Sequence, residues 1–248
     1  MDWRGEGYIL SVKKHGETSV IVDLLTRDRG RYAGLVRGGV GRKLRPILQP
    51  GNKIQAEWRA RLSEHLGSYN VEPLSARAAE IMDDRLALSG LNAAVSITRE
   101  TLPEREAYAA VYDAFEVLLH NLTEPDIWPA LFVQWEAGLL SAMGYGLDLS
   151  ACAATGATKN LTHVSPRSGR AVSQEAAEPY LDKLYALPEF MRGGLSASPQ
   201  DIANGLALTG YFLETRVQWG VNRTLPAARE QMIIRLQEEG YVAPRMTR

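Results

Sequence analysis

The chain has 248 residues, with 28 Lys and Arg against 29 Asp and Glu for a formal net charge of −1, and a single cysteine, Cys152, which excludes an internal disulfide and any zinc site built from paired cysteines. No apolar run approaches the ~20 residues that a membrane-spanning helix needs. The N-terminus, with Asp2, Arg4 and Glu6, lacks the apolar stretch of a secretory signal, so a cytoplasmic protein with no membrane partner is expected.

Residues 7 to 74 predict β structure. Gly7 to Lys13 alternates, Thr18 to Leu25 is rich in β-branched residues before a turn at Asp28 to Gly30, and Arg31 to Val36 resumes the alternation. Asn52 to Arg59 predicts a further strand after Pro50-Gly51, and Gly67 to Val71 another. About five short strands in ~70 residues suit a small closed barrel, of SH3-like or oligonucleotide-binding type.

The basic side chains concentrate on that barrel. Residues 1 to 80 hold 14 basic and 9 acidic side chains, and the remainder holds 14 and 20. From Arg27 to Arg61 the only acids in the cationic run are Asp28 and Glu57. Phosphates attract Lys and Arg by counterion release whatever the base sequence, so a charge segregated in this way points to nucleic acid or another polyanion. A solvated, solubilising loop is the competing interpretation of the charge alone.

From Ser75 onward the spacing becomes helical. Ala78 to Ile97 carries Ile81, Leu86, Leu88, Leu91 and Val95 at three- and four-residue intervals. Pro103 and Glu104 are expected to open a second helix with Tyr108, Val111, Tyr112, Phe115 and Leu118 on one face. Asp126 is the expected N-cap of a third, with Pro129 in its first turn and Gly144 near its end. An irregular insert follows, about 148 to 173. Further helices are expected over Gln174 to Leu187, Pro199 to Trp219 and Ala227 to Leu236. The fold class expected is α+β, a barrel domain over 1–76 followed by a helical domain over 77–248.

Catalytic signatures are missing. Gly38-Gly39-Val40-Gly41-Arg42-Lys43 fails the phosphate-loop spacing, and Gly5-Glu6-Gly7 is followed by Leu10 where a dinucleotide fingerprint wants a third glycine. His15, His65, His120 and His163 are scattered without metal spacing or a nucleophile partner. The weight therefore falls on binding, with no catalytic residue, metal or cofactor expected.

The ordered run Tyr8-Ile9-Leu10, Gly16-Glu17-Thr18, Leu24-Leu25-Thr26-Arg27, Gly30, Gly38, Leu48-Gln49-Pro50-Gly51 and Glu72-Pro73 resembles the RecO family of bacterial recombination mediators. The likeness continues in Leu139-Leu140, Gly144-Tyr145, Leu147-Asp148 and Ser165-Pro166-Arg167-Ser168-Gly169, and weakly in Tyr211-Phe212-Leu213-Glu214. The resemblance implies an N-terminal oligonucleotide-binding (OB) fold and a C-terminal helical domain with a zinc-binding insert. Many family members carry two CxxC pairs there. Here Cys152 stands at the first position, Thr155 at the second, and Ser173 and Ala176 near the other pair. A degenerate zinc-finger-like loop without metal is therefore expected, with Cys152 a buried apolar side chain.

The resemblance further implies binding of single- and double-stranded DNA, strand annealing, RecR as partner, capture of the C-terminal tail of single-stranded DNA-binding protein, and help in loading RecA without nucleotide hydrolysis. It also implies a nucleoid-associated location, and a monomer is expected. For DNA the candidates are Arg27, Arg29, Arg31, Arg37, Arg42, Lys43, Arg45, Arg59 and Arg61, with Tyr32 and Trp58 as stacking faces that equally suit a barrel interior. For an acidic, hydrophobic tail the candidates are Arg99, Arg105, Arg192, Arg216 and Arg223. The alternative is a protein-docking adaptor whose barrel binds a partner protein while its charge tunes solubility.

Overall fold

The computed structural model describes residues 1–62, 65–194, 196–218 and 224–244, and the chain divides into two compact units, Met1–Thr123 and Glu124–Arg248. In the first unit, β1 (Asp2–His15), β2 (Ser19–Thr26), β3 (Gly30–Val36), β4 (Lys53–Arg59) and β5 (Ser68–Ser75) form a closed barrel in the order β1-β2-β3-β5-β4. Long β1 pairs antiparallel with β2 through its second half and with β4 through its first. A one-residue bulge at Leu10, between paired Ile9 and Ser11, lets it serve both. Closure is narrow, since β3 meets β5 in parallel at the single pair Leu35 and Ser68.

Period-two alternation sorts the strand residues. Trp3 and Ile9 of β1, Val20, Val22 and Leu24 of β2, Tyr32 and Val36 of β3, Ile54, Ala56 and Trp58 of β4, and Tyr69 of β5 fill the barrel interior. Gly34 sits inward on β3 because the Tyr69 ring crosses it, and a Cβ there would overlap that ring.

The outer face is not all solvent. Tyr8, Leu10 and Leu25 are buried on it, and Tyr8 meets Tyr112 and Phe115 of α3 with ring centroids 5.7 Å apart. The short α1 (Arg77–Glu80), α2 (Arg85–Thr101) and α3 (Ala109–His120) belong to this unit. Strand gives way to helix beside Ser75 as expected, but the compact unit runs on to Thr123, because these helices cover the apolar outer face that β1 and β2 present. Asp84 caps α2, its carboxylate accepting from the Leu86 and Ala87 amides at 2.9 Å each.

The second helix of this unit does not open at Pro103 and Glu104. The barrel takes that segment instead. Glu104 forms a bridge with Arg31, Arg105 adopts φ 65°, and its amide donates to the Arg31 carbonyl at 2.7 Å. Gly30, at φ 66°, makes room, since a side chain there would strike the Glu106 carbonyl. Helix α3 starts only at Ala109.

In the second unit, α4 (Trp128–Ala142) begins without a side-chain cap, so Asp126 is not its N-cap. It ends where expected: Gly144 takes φ 84° and the Tyr145 amide reaches back to the Leu140 carbonyl at 2.8 Å. Trp128, Phe132 and Trp135 are buried along its length. Helix α6 (Pro199–Phe212) carries a Ser198/Asp201 capping box, and π-helical Leu213–Gln218 follows it. Trp219, the expected end of this helix, lies outside the described residues. Between α4, α6 and α7 (Ala227–Glu238) sits a buried ion pair, Arg229 to Glu136 at 2.6 Å. The Thr209 hydroxyl also donates to that carboxylate, leaving neither charge without a partner.

The insert is irregular over 149–160 and 165–169 but holds two short strands. β6 (Leu161–Val164) pairs with β7 (Ala171–Ser173) and β8 (Tyr185–Ala186) in a three-stranded sheet. The helix expected over Gln174 to Leu187 is one α turn, α5 (Gln174–Ala177), then a 3-10 stretch Glu178–Lys183. Pro179 has no amide to continue the ladder, and the chain departs from helical geometry at Tyr180.

Candidate nucleic-acid interface

A groove of about 450 Å³ opens where β3, β4 and β5 come together beside the loop 37–52. Arg37 and Arg59 line it with Val36, Leu44, Ser68, Tyr69, Asn70 and Val71. Its position follows from the barrel seam: one residue pair joins β3 to β5, so the strands splay beyond it. Arg42, Lys43 and Arg45 flank Leu44 on the loop and are exposed, as are Arg37, Arg59 and Arg61. Short turns brace this loop, with the Leu44 and Arg45 amides donating to the Gly41 carbonyl at 3.2 and 3.0 Å. Asn52 fastens its far end, donating to the Ile47 carbonyl at 2.9 Å. Among the described residues, none of Arg37, Arg42, Lys43, Arg45, Arg59 and Arg61 forms an ion pair. A carboxylate on the groove, Glu57, lies 3.9 Å from Arg4.

Six cations without ion-pair partners among the described residues, around a shallow groove, leave their charge for an external anion. The remaining candidates are elsewhere. Arg27 and Arg29 occupy the turn at the opposite end of β3 from Arg37. Arg27 holds Asp113 of α3 in a bidentate pair at 2.8 and 2.9 Å, which keeps the Asp113 carboxyl below the usual carboxylate range. The Arg29 guanidinium lies over the Trp3 ring, 5.4 Å from its centroid.

Arg31 is no phosphate ligand. Its side chain is 12% exposed and reaches Asp23 at 2.7 Å. The guanidinium also donates to the Leu102 carbonyl at 2.6 Å and to that of Arg99. It closes the C-terminal end of α2, whose last carbonyls lack helical partners, and so joins helix to barrel. Asp23, despite this partner, is pushed upward by burial. Tyr32 and Trp58 are not stacking faces either, because both are buried in the barrel. The Trp58 indole donates to the Ala33 and Leu66 carbonyls at 3.2 and 3.0 Å.

A second cleft, of about 330 Å³, lies between the β1 and β2–β3 residues and α3. Most of its charges are paired: Lys53 contacts Glu116 at 2.7 Å and Glu6 at 3.2 Å, the Tyr8 hydroxyl donates to Glu116 at 2.9 Å, and Arg29 has the Trp3 ring in place of a carboxylate. Burial alone would lift the Glu116 pKa, but these two donors outweigh it and bring it down.

Among the tail-binding candidates, Arg99 faces Glu100 at 3.6 Å and Arg105 lies over the Tyr32 ring at 5.0 Å. Arg192 and Arg216 are exposed and donate to the Thr158 and Arg167 carbonyls. Arg223 lies outside the described residues. Arg99 and Arg105 belong to the first unit, and Arg192 and Arg216 to the second.

In the insert, Cys152 is buried and the Ser173 amide and hydroxyl approach its sulfur at 3.2 and 3.4 Å. Burial would raise this thiol, but hydrogen bonds from Ser173 and Thr155 pull it down to about 6. Asp148 pairs with Arg170 at 3.2 Å, and its backbone bonds to Gly169 and Ala171 complete the loop. One thiol with hydroxyl neighbours does not supply the four ligands of a closed zinc site, and among the described residues no three His, Cys, Asp or Glu converge as a metal site.

The chain is similar to known proteins along nearly its whole length. The family model described as Recombination protein O N terminal matches residues 1–77, and the one described as Recombination protein O C terminal matches residues 82–224. The chain is 52% identical over 243 residues to the DNA repair protein RecO of Phenylobacterium zucineum, covering 97% of this chain and 99% of that protein. Against the protein of the same name from Caulobacter vibrioides strain NA1000 identity is 49% over 241 residues, covering 96% and 98%. Against that of Ruegeria sp. it is 47% over 234 residues, covering 94% and 97%.

Proposed function

The chain belongs to the recombination protein O family, and from that premise we propose a DNA-binding recombination mediator that acts in DNA repair. The observation that carries this reading is the groove between Arg37 and Arg59 with its adjoining Arg42, Lys43, Arg45 and Arg61, all exposed and without internal ion pairs. The barrel is read as an OB-fold, with loop 37–52 and the seam of β3 and β5 as its DNA side.

Mechanism follows from electrostatics and needs no catalytic residue. A surface that neutralises two strands lowers their mutual repulsion, so complementary strands pair faster. In this reading the protein binds single- and double-stranded DNA, anneals strands, and acts with RecR to help RecA load onto DNA coated by single-stranded DNA-binding protein. The second unit would receive that protein's acidic tail, with Arg192 and Arg216 as exposed candidates. The Cys152 to Ser173 contact is read as the remnant of a zinc-finger-like loop, held by hydrogen bonds and a small sheet in place of metal. The cell compartment proposed is the cytoplasm, at the nucleoid.

The test is fluorescence anisotropy of a labelled single-stranded oligonucleotide across a salt series, followed by addition of the complement without ATP. The expected result is binding with a steep negative salt slope and accelerated pairing. No binding at low salt would overturn the reading and leave a barrel that docks protein.

A further inference from the structure

Proteins that hold single strands without sequence preference ordinarily combine a basic groove with aromatic faces on which bases stack. This barrel has the first and not the second. The aromatic residues on its strands, Trp3, Tyr8, Tyr32, Trp58 and Tyr69, are all buried. Trp3, Tyr32 and Trp58 pack on one another, with centroids 5.1 to 6.3 Å apart. Their outward approach is taken by cations, Arg29 over Trp3 and Arg105 over Tyr32. Tyr69 is the one aromatic that reaches the groove. Its hydroxyl is committed to the Tyr32 carbonyl at 3.0 Å, and the Gly34 backbone lies against its ring.

The groove itself is lined by aliphatic Val36, Leu44 and Val71 and small polar Ser68 and Asn70 between the two arginines. No aromatic face other than the Tyr69 ring lines it among the described residues. From these observations we infer that the groove grips the sugar-phosphate backbone of a single strand and leaves its bases turned outward, unstacked on the protein. The inference rests on the DNA-binding reading above and deepens it: bases presented outward are free to meet a complement while the strand stays bound.

Phosphate contacts carry no base information, so the held strand is recognised without regard to sequence. The whole affinity is then electrostatic. If the six cations each neutralise one phosphate, the single-strand salt slope is about −4.

The experiment compares two labelled oligonucleotides of equal length on the full chain, one of ordinary mixed sequence and one made wholly of abasic sites, across the same salt series. The expected result is dissociation constants within about twofold and equal slopes, whereas each stacked base would contribute about five- to 150-fold. The double reversal R37E/R59E is expected to weaken both oligonucleotides by the same factor. Loss of more than tenfold on the abasic strand alone would overturn the outward-base arrangement and leave the DNA-binding reading standing. Unchanged binding by a folded R37E/R59E protein would move the strand away from this groove and overturn the inference. Failure of both oligonucleotides to bind would overturn both readings.

Discussion

The two ends of β3 receive the same kind of residue and put it to opposite uses. At its start, Arg27 is clamped to Asp113 and Arg31 is sunk between Asp23 and the last carbonyls of α2. At its far end, Arg37 faces the groove with Arg59, and Arg42, Lys43 and Arg45 stand on the next loop, none of them in an ion pair among the described residues. Seven residues of one strand separate the two. The difference lies in what packs against each end. Helices α2 and α3 bring acids and carbonyls to the first, whereas the second borders the loop 37–52 and strands β4 and β5. A cation's duty in this protein is set by its neighbours, and apart from Asp23 on the adjoining strand those at the first end come from helices more than 60 positions away in sequence.

The largest effect that separates the two ends is expected at Arg31. Arg31→Met leaves Asp23 buried without its partner and the end of α2 unclosed, a loss of about 3–5 kcal/mol by the usual behaviour of broken buried pairs. Denaturant unfolding should show this as a lowered midpoint, while the folded fraction keeps the DNA salt slope of the parent. A midpoint unchanged within about 0.5 kcal/mol would mean that Arg31 is not the structural cation its contacts describe.

At the other end the expectation is inverted. Reversing Arg42, Lys43 and Arg45 together to Glu should weaken single-strand binding by about a hundredfold or more at low salt, because three attractive contacts become repulsive. Stability should change little, since exposed substitutions away from packed features usually fall within about 0.5 kcal/mol. Retained binding would remove this loop from the DNA surface and turn weight to the adaptor reading.

Much of this division could not be read in advance, and the reason is specific. Alternation along Gly30–Val36 and Lys53–Arg59 shows which side chains point inward, so the barrel was legible from pattern alone. The same alternation places Tyr32 and Trp58 inside, on the same parity as Val36 and Ile54, and so argues against their use as stacking faces. Asp23 is a cross-strand neighbour within the β2–β3 hairpin, but the α2 carbonyls that bury Arg31 reach it only through long-range packing. The Pro103-Glu104 segment misled for a related cause: its helical signals are overridden by bonding to Arg31 and by the space Gly30 leaves. In the insert, short β6, β7 and β8 carry too few residues for a period to show.

Acid should act on the structural end. Asp113 and Glu116 both have folded pKa values lowered by their partners, Arg27 for the first and Lys53 with Tyr8 for the second, against opposing burial at Glu116. A carboxylate with a lowered folded value stabilises above its unfolded pKa, and that contribution is lost as pH falls through the folded value. Asp23 has the opposite sign, since burial raises it and the folded state takes up its proton first. The unfolding midpoint should therefore fall from about pH 5 downward, and Glu116→Gln should flatten that decline. An equally steep decline in the variant would show that the Tyr8, Lys53 and Glu116 contacts do not carry it.

The smallest expected effect is the one that decides why Arg27 stays off the DNA. Arg27 differs from the groove arginines in two ways, being ion-paired to Asp113 and standing at the other end of β3. Asp113→Asn separates them, because the amide keeps the shape of the carboxylate but not its charge. If pairing alone withheld Arg27, the freed guanidinium would take one more phosphate and steepen the single-strand slope by about 0.7. The expected outcome is no change in slope, because a strand lying along Arg37 and Arg59 does not pass the turn at Arg27. A steeper slope would extend the DNA track along the full length of β3 and make the contrast between its ends a matter of pairing rather than place.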